Sequence, residues 1–326
     1  MKISLVGCVL LVSAVTAALI STNILAQAYP VKPIRLIVPA NPGGGMDVSG
    51  RITGRLVTDA LGVQVVVENR GQATGRVGAD AVARAAPDGY TLLLGATTPL
   101  STIPSADAKV TYDPVKDFAP ISLVATSDFA LAVHASLPTR TVRDFIALAR
   151  SKPGQFNFAS VGTGSGAHFT LELFKQLARL DMLHVPYRGA SLATTALVGG
   201  EVSAYFGSGP SLLAHVKAGR IRPLASTGLT RMRTFPDIPT MNETVPGLVS
   251  YLWFGVVAPA GTPNEIITRL HDVIAKGVHD AALTQIFVAS GAEPVSSASP
   301  EEFGALIRTE LAKWTKVAKA AKITVD

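Results

Sequence analysis

Two glycine-rich segments carry the residues best suited to chemistry. The first, Asn41-Pro42-Gly43-Gly44-Gly45-Met46-Asp47, follows a short β-branched run and precedes a helical pattern. Glycines let the chain turn sharply with its N–H groups aimed inward, and a helix N-terminus adds partial positive charge, so an anion is welcome there. No Gly-Lys-Ser/Thr follows and the G-x-G-x-x-G spacing is missing, which excludes a nucleotide loop of either common kind. A tight turn closed by a capping Asp47 remains an equal reading of this loop alone.

The second segment, Ser160-Val161-Gly162-Thr163-Gly164-Ser165-Gly166-Ala167-His168, again stands between a strand and a helix pattern. Ser160, Thr163 and Ser165 can donate hydroxyl hydrogen bonds to a carboxylate that small glycines admit closely. Two such turns, one in each half of the chain, could hold a ligand with two acidic groups from both sides. His168 and Glu172 stand four apart, a spacing that permits a metal pair; without a further ligand cluster a helix-face histidine is expected, and no metal or cofactor. No G-x-S-x-G elbow occurs, so the serines read as donors rather than nucleophiles. A third stretch, Asn69 to Gly78, offers either more backbone donors or a loop that shapes its own lobe.

Strands and helices must position these turns. Strands are expected at Ile34–Val38, Val63–Glu68, Thr91–Gly95, Ala130–Val133, Phe156–Ala159, Leu183–Val185, Ala204–Phe206, Leu224–Ser226 and Phe254–Ala258. Between them lie helix patterns: Asp47 caps one with Val48, Ile52, Leu56 and Ala60 on a face, ended by Gly62. Thr262-Pro263-Asn264-Glu265 and Ser299-Pro300-Glu301-Glu302 read as capping boxes, and Thr141 with Asp144 as a weaker one. Strands alternating with helices predict parallel α/β sheets covered on both faces. Segments near Ser127 and around Pro236–Pro246 are the candidate crossings between two lobes.

With 326 residues, 48% hydrophobic and 16% charged, the chain is long enough for two domains and too apolar for disorder. One cysteine excludes an internal disulfide and a cysteine-rich zinc module. Basic residues are scattered rather than clustered with aromatics, so no nucleic-acid partner is expected, while the formal charge of +6 mildly favours acidic solutes. Lys2, an apolar run from Ile3 to Ile20, and Ala26-Gln27-Ala28 describe a signal peptide over residues 1–28, cleaved after Ala28 and exporting the protein to the periplasm. A retained anchor is the rival reading. Cys8 is read as a small apolar residue within the signal rather than a lipidation site, and cleavage removes it.

Several short motifs occur in an order that resembles the substrate-binding proteins of tripartite tricarboxylate transporters, the Bug-type receptors. They are Pro42-Gly43-Gly44-Gly45-Met46-Asp47, Asp88-Gly89-Tyr90, Tyr112-Asp113-Pro114-Val115-Lys116-Asp117-Phe118, Val185-Pro186-Tyr187-Arg188-Gly189, Pro236-Asp237-Ile238-Pro239-Thr240 and Trp253-Phe254-Gly255. The resemblance implies an α/β fold of the type II periplasmic binding protein class, with two lobes, a central ligand cleft and two crossover strands. Lobe 1 would take 29–127 plus 251–326, and lobe 2 would take 128–250.

The same resemblance implies a ligand site built from Asn41, Gly43, Gly44 and Asp47 of the first turn, and Ser160, Gly162, Thr163, Gly164, Ser165 and His168 of the second. Ala96 and Thr97 after the third strand, and Phe206 and Ser208 in the second lobe, would complete it. Its partners would be a small carboxylic acid and integral membrane transporter subunits, with the receptor a monomer and not an enzyme. Relatives often carry an acid in a Gly-x-Val-Asp pattern that reads Gly200-Glu201-Val202-Ser203 here, a departure that favours ligands carrying only acids. A periplasmic sensor serving a signalling kinase, and an exported enzyme using Ser165 and His168 on a carboxylic acid, are the alternatives.

Overall fold

The computed structural model describes residues 29–325, so the signal-peptide expectation for 1–28 lies outside the described residues. Strands β1 (Ile34–Val38), β2 (Val65–Asn69) and β3 (Thr91–Ala96) pair in parallel, and β5 (Asn157–Ser160), β6 (Leu183–Pro186) and β7 (Ala204–Ser208) form a second parallel set. The strand order β2-β1-β3-β9-β4-β7-β5-β6 joins them into one continuous path, where β4 is Phe118–His134 and β9 is Tyr251–Pro259. β8 (Ile221–Ser226) and β10 (Glu293–Pro294) both attach to β4.

One strand therefore belongs to both lobes. β4 runs antiparallel to β9 from Phe118 to Asp128, and from Phe129 onward it pairs with β7 and β8. The sequence suggested a strand only at Ala130–Val133. Ser122, Thr126 and Asp128 interrupt the apolar pattern, and register shifts at Pro120/Ser122 and Leu123/Ala125 break the period-two alternation that would reveal the rest. The return crossing comes at Ser250–Tyr251 and not around Pro236–Pro246, where Phe235, Met241 and Val245 still pack in the second core, and Thr227 braces it. Thr227 donates its N–H to Phe129 O at 2.8 Å, its hydroxyl accepts the Phe129 N–H at 3.0 Å, and its carbonyl accepts from Ser250 N–H at 2.9 Å.

Helices cover both faces of each half. On one face of the first half, Ile52 and Leu56 of α1 (Gly45–Leu61) and Leu270 and Ile274 of a later helix, Asn264–Gly277, bury Leu36, Leu94 and Val256. The other face buries Ile37, Leu93 and Trp253 under Val82 and Phe303. The second half packs Phe145, Phe158, Phe169, Phe174 and Phe206 together. The final helix, Pro300–Ala321, begins against the first half through Phe303 and Ile307 and ends in the second core through Trp314 and Val317. Trp314 meets Phe169 edge-on at 5.7 Å, so this helix straps the lobes together.

The caps follow the sequence in part. Thr141 and Asp144 form a full capping box, Ser299 caps the last helix through Glu302 N–H, and Gly62 ends α1 in the left-handed region. Thr262 does not cap; its hydroxyl closes a turn onto Pro259 O at 2.8 Å, and Asn264 opens the helix. Asp47 is not an N-cap either. It sits three residues into α1 with Gly44 at the cap position.

Asp128, at the point where β4 changes partners, lies against Gly228, where any Cβ would collide with its carboxylate. Among the described residues it has no ion-pair partner, and burial followed by the nearby Glu293 pushes its pKa up from 3.8 to about 6. A folded-state pKa above the unfolded value means that the folded form holds the proton more tightly, so this stabilisation is full below pH 4 and lost as pH rises through 6. At neutral pH the ionised carboxylate costs on the order of 2 kcal/mol. Asp128→Asn is thus expected to raise the melting temperature at pH 7 by several degrees and to change it little at pH 4; an unchanged or lower value at pH 7 would contradict this account.

Candidate functional site

The first turn is braced from below by its own acid. Asp47 is 4% exposed, and its Oδ2 accepts the Gly43 N–H at 2.9 Å and Arg51 Nε at 3.1 Å, while Oδ1 accepts Asn69 Nδ2 at 2.9 Å. Burial opposes the charge, but these bonds outweigh it and hold Asp47 below the usual carboxylate range. The N–H groups of Gly45, Met46 and Asp47 open the helix without intrahelical acceptors, and Asn41, Gly43 and Gly44 are exposed at the rim. The third glycine stretch frames this turn. Gly71 lies so close to Asn41 that a Cβ would strike its backbone nitrogen, and Ala73 and Thr74 both adopt left-handed φ, at 48° and 57°. Two adjacent non-glycine residues in that region store strain in the loop.

The second turn, between β5 and α5 (Gly166–Ala178), ties its hydroxyls inward. Ser165 Oγ donates to Gly162 O at 2.7 Å and caps the helix by accepting the His168 N–H at 3.3 Å. Ser160 Oγ accepts the Gly162 N–H at 3.1 Å and meets His184 Nε2 at 2.6 Å. Both serines therefore shape the backbone, whereas Thr163 is exposed. His168 is buried; its Nδ1 accepts the Gly164 N–H at 3.2 Å, and its ring stacks on His184 at 3.8 Å and 8°. Glu172, the i+4 neighbour that suited a metal pair, instead accepts from Lys175 Nζ at 2.8 Å.

The lobes meet at this turn. Thr102 Oγ1 donates to Gly164 O at 2.9 Å, and a Cβ on Gly164 would run into Val325 and Ile103. Thr102 closes the π-helical turn Thr98–Thr102 that follows β3, and the short turn Gln72–Gly75 lies against the same segment. A path of contacts thus links the first turn, the third glycine stretch, the end of β3 and the second turn. Ala96 and Thr97 are on this path but buried. Thr97 Oγ1 accepts the Trp253 N–H at 2.9 Å and so pins β9.

Of the remaining candidates, Phe206 is fully buried against Phe158, at 4.9 Å, and Phe174, at 6.0 Å. Ser208 opens the helix Gly209–Lys217 and contacts Ser211 Oγ at 3.1 Å. Thr102 and His184 were not singled out from the sequence. His184 stands on a recognised strand, and its only legible signal is that consecutive parallel strands β5 and β6 are neighbours; Thr102 lies in a π-turn with no recognisable pattern.

The arrangement can receive anions at two helix starts facing a shared path between lobes. Residues 51–323 match the family model described as the tripartite tricarboxylate transporter family receptor. Protein BugT of Bordetella pertussis is 36% identical over 307 residues, 94% of each chain. Among solved structures, "R. palustris Rpa4515 with adipate" superposes with a TM-score of 0.79 at 33% identity over 91% of this chain and 99% of that one. "MatC (Rpa3494) from Rhodopseudomonas palustris with bound malate" gives 0.75 at 27% identity, over 89% and 99%. The two-lobed fold with crossover strands is shared with these proteins.

Burial, then the neighbouring His184 and Lys175, push the His168 pKa down from 6.5 to about 3; burial, then Lys175, push His184 down to about 4. Each folded value lies below the unfolded one, so the associated stability is complete above pH 6.5 and declines as pH falls towards 4. Both rings are expected to be neutral at pH 5.5 by NMR. A titration midpoint above 6 for either would contradict the packing described.

Proposed function

We propose, on the premise that this chain belongs to the tripartite tricarboxylate transporter receptor family, that it captures a small dicarboxylate between its lobes and presents the closed, loaded form to a membrane transporter. Members of this family are solute-binding receptors, and delivery to a transporter is the family role. The observation that carries the ligand class is the second turn. Gly166 and Ala167 open α5 with N–H groups that lack intrahelical acceptors, beside the interlobe contact of Thr102 with Gly164. An anion there is met by backbone dipoles rather than by a cationic clamp. Adipate and malate, held by two similar structures, each carry two carboxylates, which suits two anion-accepting turns.

Within this reading Asn41, Gly43, Gly44, Ala96, Thr97, Ser160, Gly162, Thr163, Gly164, Ser165, His168 and Ser208 line or support the cleft, Asp47 braces it, and Phe206 backs it from the core. Lobe 1 comprises 29–127 with 251–326 and lobe 2 comprises 128–250, the last helix crossing between them. The receptor is exported, cleaved after Ala28 and monomeric, and it releases its ligand unchanged. Rotation at the two crossings, Asp128–Phe129 within β4 and Ser250–Tyr251 ahead of β9, closes the cleft, strips water from the carboxylates and creates the surface that a transporter reads. The exported-enzyme reading gains nothing from Ser165, whose hydroxyl is committed to Gly162 O and which contacts His168 only through its backbone N–H.

Native mass spectrometry of the protein purified from the periplasm is expected to reveal a bound small dicarboxylic acid, recovered unaltered after denaturation; a chemically changed product would overturn the receptor reading. Ser165→Asp keeps a competent cap while placing like charge at the turn. It is expected to weaken binding of that acid at least a hundredfold by calorimetry, and retained affinity would remove the second turn from the site.

A further inference from the structure

Ser160 is fully buried, yet its hydroxyl has three close partners: the Gly162 N–H at 3.1 Å, the Gly162 carbonyl at 3.1 Å and His184 Nε2 at 2.6 Å. A hydroxyl has one proton and two lone pairs. The Gly162 N–H takes one lone pair. Gly162 O already accepts from Ser165 Oγ at 2.7 Å and from Ser165 N–H at 3.2 Å, which fills its two lone pairs, so the short contact with His184 Nε2 is the bond that fixes the hydroxyl, whichever of the two atoms donates.

The rest of the cluster converges on the same peptide. The bonds from Ser165 N–H and Ser165 Oγ to Gly162 O mean that the orientation of this one peptide sets where α5 begins. His168 Nδ1 accepts the Gly164 N–H, which places the His168 proton on Nε2. The stacked rings hold each other in register, and burial disfavours a charge on either. Two neutral imidazoles thus grip the turn at Ser160 and at Gly164, the first and last residues before its cap.

We propose that His184 is a positioning residue of the binding turn: its Nε2 bonds Ser160 Oγ, and through Ser160 and Gly162 it fixes the N–H groups that receive a ligand carboxylate. This rests on the reading that the second turn holds the carboxylate. His184 itself does not touch the ligand. Its loss loosens the turn, so the ordering that the imidazole provides in advance must be supplied by binding itself.

The test uses the acid recovered with the protein, or adipate if none is found, and measures affinity and melting temperature together. His184→Phe retains the ring stack and the volume but removes the bonding nitrogen, and about a tenfold loss of affinity is expected, as for one hydrogen bond to a well-ordered partner. His184→Gln, whose amide can reach the same oxygen, should recover most of it. Ser160→Ala, which also removes the Gly162 contacts, should lose at least as much as His184→Phe, and the double variant should lose no more than Ser160→Ala alone, because both break the same link.

Additive losses, or a His184→Phe protein that binds like the parent, would overturn the proposal while Ser165→Asp still reports on the site itself. Should His184→Phe fold poorly, Ser160→Ala with the parent's melting temperature decides: about a tenfold loss of affinity is expected, and unchanged affinity would overturn the proposal.

Discussion

β4 hydrogen-bonds to β9 along Phe118–Asp128 and to β7 and β8 from Phe129 onward, so a single backbone serves two sheets. A strand interior to a sheet has its N–H and C=O groups committed on both sides, which leaves little freedom except where partners change. That exchange falls between Asp128 and Phe129. Thr227 secures it on the return path by bonding Phe129 with both its hydroxyl and its backbone. The two lobes share this strand, and the final helix packs on both cores. Asp128, without an ion-pair partner among the described residues, sits where β4 changes partners, so stability is yielded rather than maximised there.

The turns depend on this frame in different ways. Each starts a helix from the end of a parallel strand, so each aims N–H groups out of the C-terminal edge of its sheet, where open α/β sheets present ligand crevices. Several polar side chains within them turn inward, while Asn41 and Thr163 stay exposed. Asp47 braces Gly43, Ser165 braces Gly162, and Ser160 joins Gly162 to His184. Side chains spent on shaping the loop leave recognition to the backbone, whose dipoles need no reorganisation when an anion arrives. A receptor for small acids can therefore work with few charged residues at its turns.

Much of this was legible from patterns and some was not. The parallel strands stood out because, buried on both faces, they read as short apolar runs such as Ile34–Val38 and Thr91–Ala96. Glycine and capping residues located the turns and several helix starts. The first half of β4 escaped because its register shifts and its polar Ser122, Thr126 and Asp128 erase the alternation that marks a strand. Asp47 was read as a cap because Asp commonly is one, but Gly44 has the extended φ and ψ of the cap and leaves Asp47 within reach of Arg51 and Asn69. The histidine stack was illegible for a plainer reason: residues 168 and 184 meet only through tertiary packing of α5 on β6.

The two turns also differ electrostatically. The first holds an ionised carboxylate beneath it, and two like unit charges 4 Å apart repel by about 1 kcal/mol in water and about 4 kcal/mol near a protein surface. Arg51 offsets part of that at the first turn, yet the field there stays less welcoming to a second anion. Beneath the second turn lie two stacked imidazoles that burial keeps uncharged, and the nearby Glu172 is paired with Lys175. Of the two helix starts, the second is therefore the one whose own surroundings oppose an incoming anion less.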